Sequence, residues 1–256
     1  MSLTKVTIIT VVFNNVEHIQ NAIRSVLSQD YLNIEYIVID GNSNDGTILA
    51  IEEFKNEIDY FASSPDKGIY DALNKGIEKA TGEIIGILHS DDLYIDKHVI
   101  SDMVRMLESQ SAELVFSDLI LVNPETKKIF RYYMAHYFNT WMLRTGWMPP
   151  HPTVFMKKTI YDEFGSYSLD YKIVGDFDYF LKIFHGRKIY WTYLNRITIV
   201  MGSKGISNSG FLNKILIAKE IRRSLKNNKV WSLPIFQLFR YFIRIFELLI
   251  KPKIKY

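Results

Sequence analysis

Cysteine is absent from the 256 residues. That excludes a disulfide framework and any thiolate-ligated metal, and it fits a reducing compartment such as the cytoplasm. A surplus of one charge is absent too. Thirty-one Lys and Arg against 28 Asp and Glu leave a net +3, too balanced for a nucleic-acid binder. No uninterrupted apolar run approaches the roughly eighteen residues of a bilayer span. Thr4 to Phe13 is apolar but short and alternating, a strand pattern and not the core of a signal peptide. No G-x-G-x-x-G follows this first strand and no Walker loop occurs, so neither phosphate-binding fingerprint applies. What the chain does have is apolar side chains, 48% of the total, enough to bury one large core or two small ones.

Lys5 to Phe13 is a β-branched run, a first buried strand. Asn14 with Glu17 three residues on has the spacing of a helix capping box. The following stripe of Ile19, Ala22, Ile23, Val26 and Leu27 predicts an amphipathic helix. Tyr36 to Asp40 is a second strand, and the turn-rich loop 41–47 leads into a helix through Phe54. Ile58 to Ala62 is a third strand. Ile69, Leu73, Gly76 and Ala80 recur at helical spacing, and Ile84 to Leu88 is a fourth strand. This strand–helix alternation predicts an α/β fold, a mostly parallel sheet flanked by helices. Asp96 is placed to cap a helix with Ile100, Met103 and Leu107 inward. Leu114 to Val122 reads as a strand with a hairpin partner at Lys128 to Met134. From there the alternation breaks. Thr153 to Met156 is a strand, Lys158 to Phe164 a short helix, and Ile189 to Val200 a further strand.

Four acids, Asp40, Asp66, Asp91 and Asp92, fall just after predicted strands. In a parallel sheet that is the rim where ligands gather. Asp91 and Asp92 stand side by side at the mouth of a central strand. Adjacent carboxylates repel and are costly to desolvate, so the pair calls for something positive: a divalent cation shared with a phosphorylated substrate, or else the turn is a plain acidic helix cap. A second acidic cluster, Gly175-Asp176-Phe177-Asp178, opens a predicted helix, where acids cap or serve as a general base. Trp147 and His151, in a segment rich in aromatics and proline, suit either a wall for a sugar ring or ordinary packing. Lys204 sits in the Gly/Ser loop 202–208, a linker or a loop that closes over phosphates.

In order along the chain come Asn14, Val38-Ile39-Asp40-Gly41-Asn42-Ser43-Asn44-Asp45-Gly46-Thr47, Asp66-Lys67-Gly68-Ile69-Tyr70-Asp71-Ala72-Leu73-Asn74-Lys75-Gly76, Ala80-Thr81-Gly82-Glu83 and His89-Ser90-Asp91-Asp92. Over residues 5–205 this series resembles the family 2 glycosyltransferases of GT-A fold, above all bacterial O-antigen, capsule and exopolysaccharide enzymes. The resemblance implies an inverting transfer from a nucleotide-diphosphate sugar, most often UDP-linked, to a saccharide or polyprenyl-linked acceptor. It further implies that Asp40 binds the base with Val11 and Phe13 lining its pocket, and that Asp66 sits beside base and ribose. Asp91 would contact ribose or donor sugar, and Asp92 would hold Mn²⁺ or Mg²⁺. Asp176 would deprotonate the acceptor hydroxyl. Gly175 stands where the family often has an acid, which leaves Asp178 as the alternative base. The Gln-x-x-Arg-Trp motif of processive synthases is missing, which favours adding a single sugar. The other readings are a sugar-nucleotide nucleotidyltransferase, disfavoured by the acidic, Gly-free Asn14-Asn15-Val16-Glu17, and a non-catalytic scaffold.

Residues 1–205 form the expected catalytic domain and 206–256 a helical tail. Between Pro234 and Pro252 the polar residues Gln237, Arg240, Arg244, Glu247 and Lys251 make one narrow stripe on an otherwise apolar helix, and Lys251, Lys253 and Lys255 end it. Such a segment, 233–256, suits a peripheral place on an anionic membrane surface, the cytoplasmic face of the inner membrane. Packing on the domain, or on a second copy of the chain as a homodimer, is the alternative.

Overall fold

The computed structural model describes residues 3–123, 126–202, 210–250 and 252. Four strands, β1 (Val6–Val12), β2 (Ile34–Asp40), β3 (Tyr60–Ser63) and β4 (Ile84–Ile87), alternate with three helices, α1 (Ile19–Leu27), α2 (Thr47–Glu52) and α3 (Ile69–Lys79). They pair parallel in the order β3-β2-β1-β4. The β-branched runs are buried on both faces, as parallel strands between helices require. Ile19, Ala22, Ile23 and Val26 seat α1 on one face, while Leu73 and Ile77 seat α3 on the other. A Cβ on Gly76 would stand 2.5 Å from Ile9, so glycine is what lets α3 lie this close to β1.

Beyond β4 the sheet turns mixed. β8 (Phe155–Lys157) pairs antiparallel with both β4 and β6 (Leu114–Val122). β6 carries the antiparallel hairpin partner β7 (Ile129–Tyr133) and runs parallel to β9 (Trp191–Gly202). β5 (Asp92–Tyr94) closes the edge antiparallel to β9. The helices here are α4 (Val99–Ser109), α5 (Lys158–Phe164) and α6 (Gly175–Gly186). The predicted hairpin and the Lys158–Phe164 helix are present. The two expected caps are not. Asn14 lies at φ 48° and its side chain accepts from the Asn44 N–H, so it pins the 41–47 loop instead of starting α1. Asp96 accepts from the His98 N–H and pairs with Arg196, one turn ahead of α4.

Two further helices follow among the described residues, α7 (Gly210–Asn227) and α8 (Phe236–Leu249). α7 packs on α6, and α8 packs on β7 and on a 3₁₀ turn at Thr140–Thr145. The polar stripe of α8 faces the protein. Gln237, Arg240 and Glu247 are buried, whereas Phe242, Phe246 and Leu249 are 61, 61 and 74% exposed. Among the described residues no helix is long and apolar enough to cross a membrane.

Candidate active site

The carboxyl ends of β1–β4 open into a cavity of about 920 Å³, within the usual range for a small-molecule site. One wall is Val11 and Phe13 at the end of β1 with Asp66 after β3. Gly41 lets this wall close, since a Cβ there would meet the Asp66 carboxylate at 2.5 Å. Asp91, Asp176 and His151 line the same cavity.

Four predicted residues, Asp40, Asp92, Trp147 and Asp178, do not line the cavity. Asp40 is fully buried behind it; its carboxylate accepts from the Ser43 N–H at 2.9 Å and from the Ser43 and Ser63 hydroxyls at 2.5 and 2.6 Å. Asp40 therefore shapes the loop that follows β2. Trp147 is buried in an aromatic cluster with Tyr133, Tyr137 and Phe138, with ring centres 5.2–6.0 Å away, so it packs the core and offers no exposed ring face. Asp178 turns to α7, where Ser224 and Asn228 donate to it at 2.6 and 2.9 Å. Lys204 lies outside the described residues.

Asp91 lines the cavity and makes no hydrogen bond to a described residue. Asp92 lies fully buried, both carboxylate oxygens without a partner. Burial, then the charge of Asp91, pushes its carboxyl well above the usual range. Two unpartnered acids at a strand end are the donor set a hard cation takes, and an orphaned buried carboxylate is what such a cation would satisfy. No group of three or more metal-ligating side chains occurs among the described residues, so such an ion would take its other ligands from substrate and water.

Asp176 is held from several sides. Gly175 leaves room for the Tyr70 ring, which a Cβ would meet at 2.7 Å. The Tyr70 hydroxyl donates to the Ile173 carbonyl at 2.6 Å and reaches Asp176 at 3.3 Å. Buried Glu220 on α7 accepts the N–H groups of Lys172, Ile173 and Val174 at 2.9–3.1 Å, fixing the chain that enters α6. Burial lifts the Asp176 carboxyl to about 6, restrained by the Phe177 N–H, Tyr70 and His89. His89 and His151 stack at 6.1 Å. Burial and then His151 lower His89 to about 4, and burial lowers His151 to about 4, so both rings are neutral at pH 7. His151 also bonds the Tyr167 hydroxyl at 2.8 Å.

A family model described as Glycosyl transferase family 2 matches residues 7–173. The chain belongs to that family. It is 29% identical to an uncharacterised glycosyltransferase of Mycobacterium tuberculosis over 186 residues, 71% of this chain and 69% of that one. S. aureus TarS 1–349, solved in complex with UDP, aligns with a TM-score of 0.65 at 15% identity, over 87% of this chain and 66% of that one. The mannosyltransferase PcManGT of Pyrobaculum calidifontis, solved with GDP-Man and Mn²⁺, gives a TM-score of 0.66 at 18% identity, over 93% of this chain and 68% of that one. At these identities the structural likeness is one of fold, and the fold is GT-A. The chain spans about two thirds of the length of both neighbours.

Sequence reading missed Arg131, Tyr133 and Arg244, which also line the cavity. Arg131 and Tyr133 alternate on a hairpin strand, and Arg244 sits in the polar stripe of α8. The stripe was the available signal.

Proposed function

We propose that this glycosyltransferase moves one sugar from a nucleotide-diphosphate sugar to an acceptor hydroxyl with inversion, in surface polysaccharide assembly. The observation that carries the mechanism is Asp176, a buried acid lining the same cavity as Asp91 with its carboxyl lifted to about 6. A base with a pKa near the working pH best combines proton affinity with availability. Asp176, not Asp178, takes the acceptor proton in this reading, because Asp178 is occupied by Ser224 and Asn228. Val11, Phe13 and Asp66 receive the nucleotide, and Asp40 acts on it through Ser43. Asp91 and Asp92 hold Mn²⁺ or Mg²⁺, which when bound offsets the charge on the leaving diphosphate. His151 borders the acceptor side, while Trp147 supports it from behind. A uridine diphosphate donor is favoured by the UDP in the TarS neighbour, with GDP, as in PcManGT, the alternative.

The membrane is the other partner we propose. The exposed flank of α8, with Trp141 and Trp231 beside it at 49 and 62% exposure, has the composition of an interfacial helix. The chain then works as a peripheral protein on the cytoplasmic face, on a lipid-linked acceptor.

The deciding experiment is calorimetric titration with UDP, GDP, CDP and dTDP, with and without Mn²⁺, on wild type and on Asp91→Asn and Asp92→Asn. One nucleotide should bind in a metal-dependent way, and both variants should lose that dependence. Absence of binding by every nucleotide overturns the reading.

A further inference from the structure

Two arginines of the cavity lining, Arg131 on β7 and Arg244 on α8, are used by neither the donor site nor Asp176. Arg131 is engaged: it holds the buried Glu247 carboxylate at 2.5 Å and lies over the Tyr133 ring at 4.8 Å. Arg244 is half-buried yet makes no hydrogen bond or ion pair with any described residue. Burial, then the charge of Arg131, pushes its pKa down, and Arg240 adds to the repulsion while Glu247 opposes it. Arg131 and Arg244 thus share the field of one carboxylate, Glu247. A guanidinium that has shed part of its water without gaining an acceptor is unfavourable, and an anion would relieve it. Arginine is also the side chain whose planar fork best matches phosphate.

Position decides which anion. Arg131, Tyr133 and Arg244 line the same cavity as Asp176, the group assigned to the acceptor proton. The cavity acids Asp66 and Asp91 belong to the β1–β4 half. The helix that supplies Arg244 to the cavity also turns Phe242, Ile245 and Phe246 outward.

We propose that Arg244, supported by Arg131, binds a phosphate or diphosphate carried by the acceptor, and that this phosphate is attached to a membrane lipid. The assignment rests on the glycosyltransferase reading of the cavity. α8 then does two things at once: its outer face meets the bilayer, and its inner face takes the headgroup that leaves it.

The test uses the full chain and three probes: geranylgeranyl diphosphate in nanodiscs, geranylgeraniol in the same nanodiscs, and inorganic pyrophosphate. Binding is measured for wild type, Arg244→Gln and Arg244→Lys, with the Mn²⁺-dependent nucleotide as control. Wild type should bind the diphosphate at least ~10-fold more tightly than the alcohol, the gain of about one charge-assisted contact. Arg244→Gln should erase that preference, Arg244→Lys should keep part of it, and nucleotide binding should not change. Equal binding of diphosphate and alcohol by wild type overturns the proposal without reference to any variant. Equal losses of lipid and nucleotide in Arg244→Gln overturn it too, since the arginine would then serve the donor. Pyrophosphate binding as tightly as the lipid keeps the phosphate subsite and overturns its lipid source. Nucleotide binding without a diphosphate preference sinks this proposal alone, whereas absence of nucleotide binding removes the transferase reading beneath it.

Discussion

Asp176 meets two opposed demands. Its place in the cavity wall suits proton abstraction, and the same burial makes its charge costly. Only the carboxylate accepts a proton, so the transfer rate should fall as pH drops below about 6, with the slope of a single group. Asp176→Asn should cost on the order of 10²–10⁴ in turnover with nucleotide affinity kept, while Asp178→Asn should retain most turnover. Substantial turnover by Asp176→Asn would move the base elsewhere. Stability should run the other way. The folded carboxyl titrates near 6 against an ordinary 3.8, so the native state keeps a proton that the unfolded chain gives up. Its contribution to stability therefore declines as pH rises from 3.8 through 6, by up to about 3 kcal/mol. Asp176→Asn removes that decline. Thermal melts should show the variant more stable than wild type at pH 8 and level with it at pH 4; equal melts at both would mean that the carboxylate is better solvated than its burial implies.

At the scale of elements, several residues that carry the family resemblance are braces for the sheet. Glu35 on β2 accepts from Lys5 at 2.8 Å, the Thr7 hydroxyl at 2.6 Å, and the Thr81 N–H and hydroxyl at 2.7 and 2.5 Å. Gly82 lies so close that a Cβ would stand 2.6 Å from Thr7. The Ala80-Thr81-Gly82-Glu83 motif is thus a clasp between α3, β1 and β2. Burial pushes the Glu35 carboxyl up, but those hydrogen bonds outweigh it and hold it at about 2, below the ordinary 4.5. Its stabilisation is therefore complete above pH 4.5 and lost as pH falls through 2. Glu35→Ala should lower stability in urea titrations by about 1–3 kcal/mol at pH 7, because it leaves buried Thr7 without its acceptor. The gap from wild type should narrow as pH falls from 4.5 toward 2. A constant gap over that range would assign the loss to packing. The β1–β4 half was legible in the sequence because β-branched runs alternate there with stripes of 3.6 spacing. The antiparallel half was less so. Whether β8, three residues long, inserts between β4 and β6 depends on pairing across about 70 and 40 residues, which no local pattern encodes.

At the scale of the whole molecule, α8 inverts the usual rule that apolar faces turn inward. Periodicity located its polar stripe but could not tell which side met the protein. Glu247 settles it: buried and bound to Arg131, with Tyr137 at 3.4 Å, it anchors the stripe against β7. The acids after β3 and β4 were legible as a rim, whereas Arg131 and Arg244 needed the docking of α8 to bring them to it. With the stripe spent inward, Leu238, Phe242, Ile245, Phe246 and Leu249 face outward as one contiguous band, a kind of surface that marks an interaction site. Lysines follow this helix in the sequence at 251, 253 and 255, a basic composition that anionic headgroups attract. Phe242→Asp with Phe246→Asp changes only this band, since both rings are 61% exposed. Each ring is worth about 1–2 kcal/mol in a bilayer interface, so the pair should weaken partition onto anionic liposomes by ~10²-fold or more, with nucleotide binding and melting temperature unchanged. High salt should weaken wild-type partition only in part, because the lysine attraction is screened and the apolar contribution is not. If the double variant floats with liposomes as wild type does, the band covers something else. A monomer-to-dimer difference between the two proteins in ultracentrifugation would then identify a second copy of the chain.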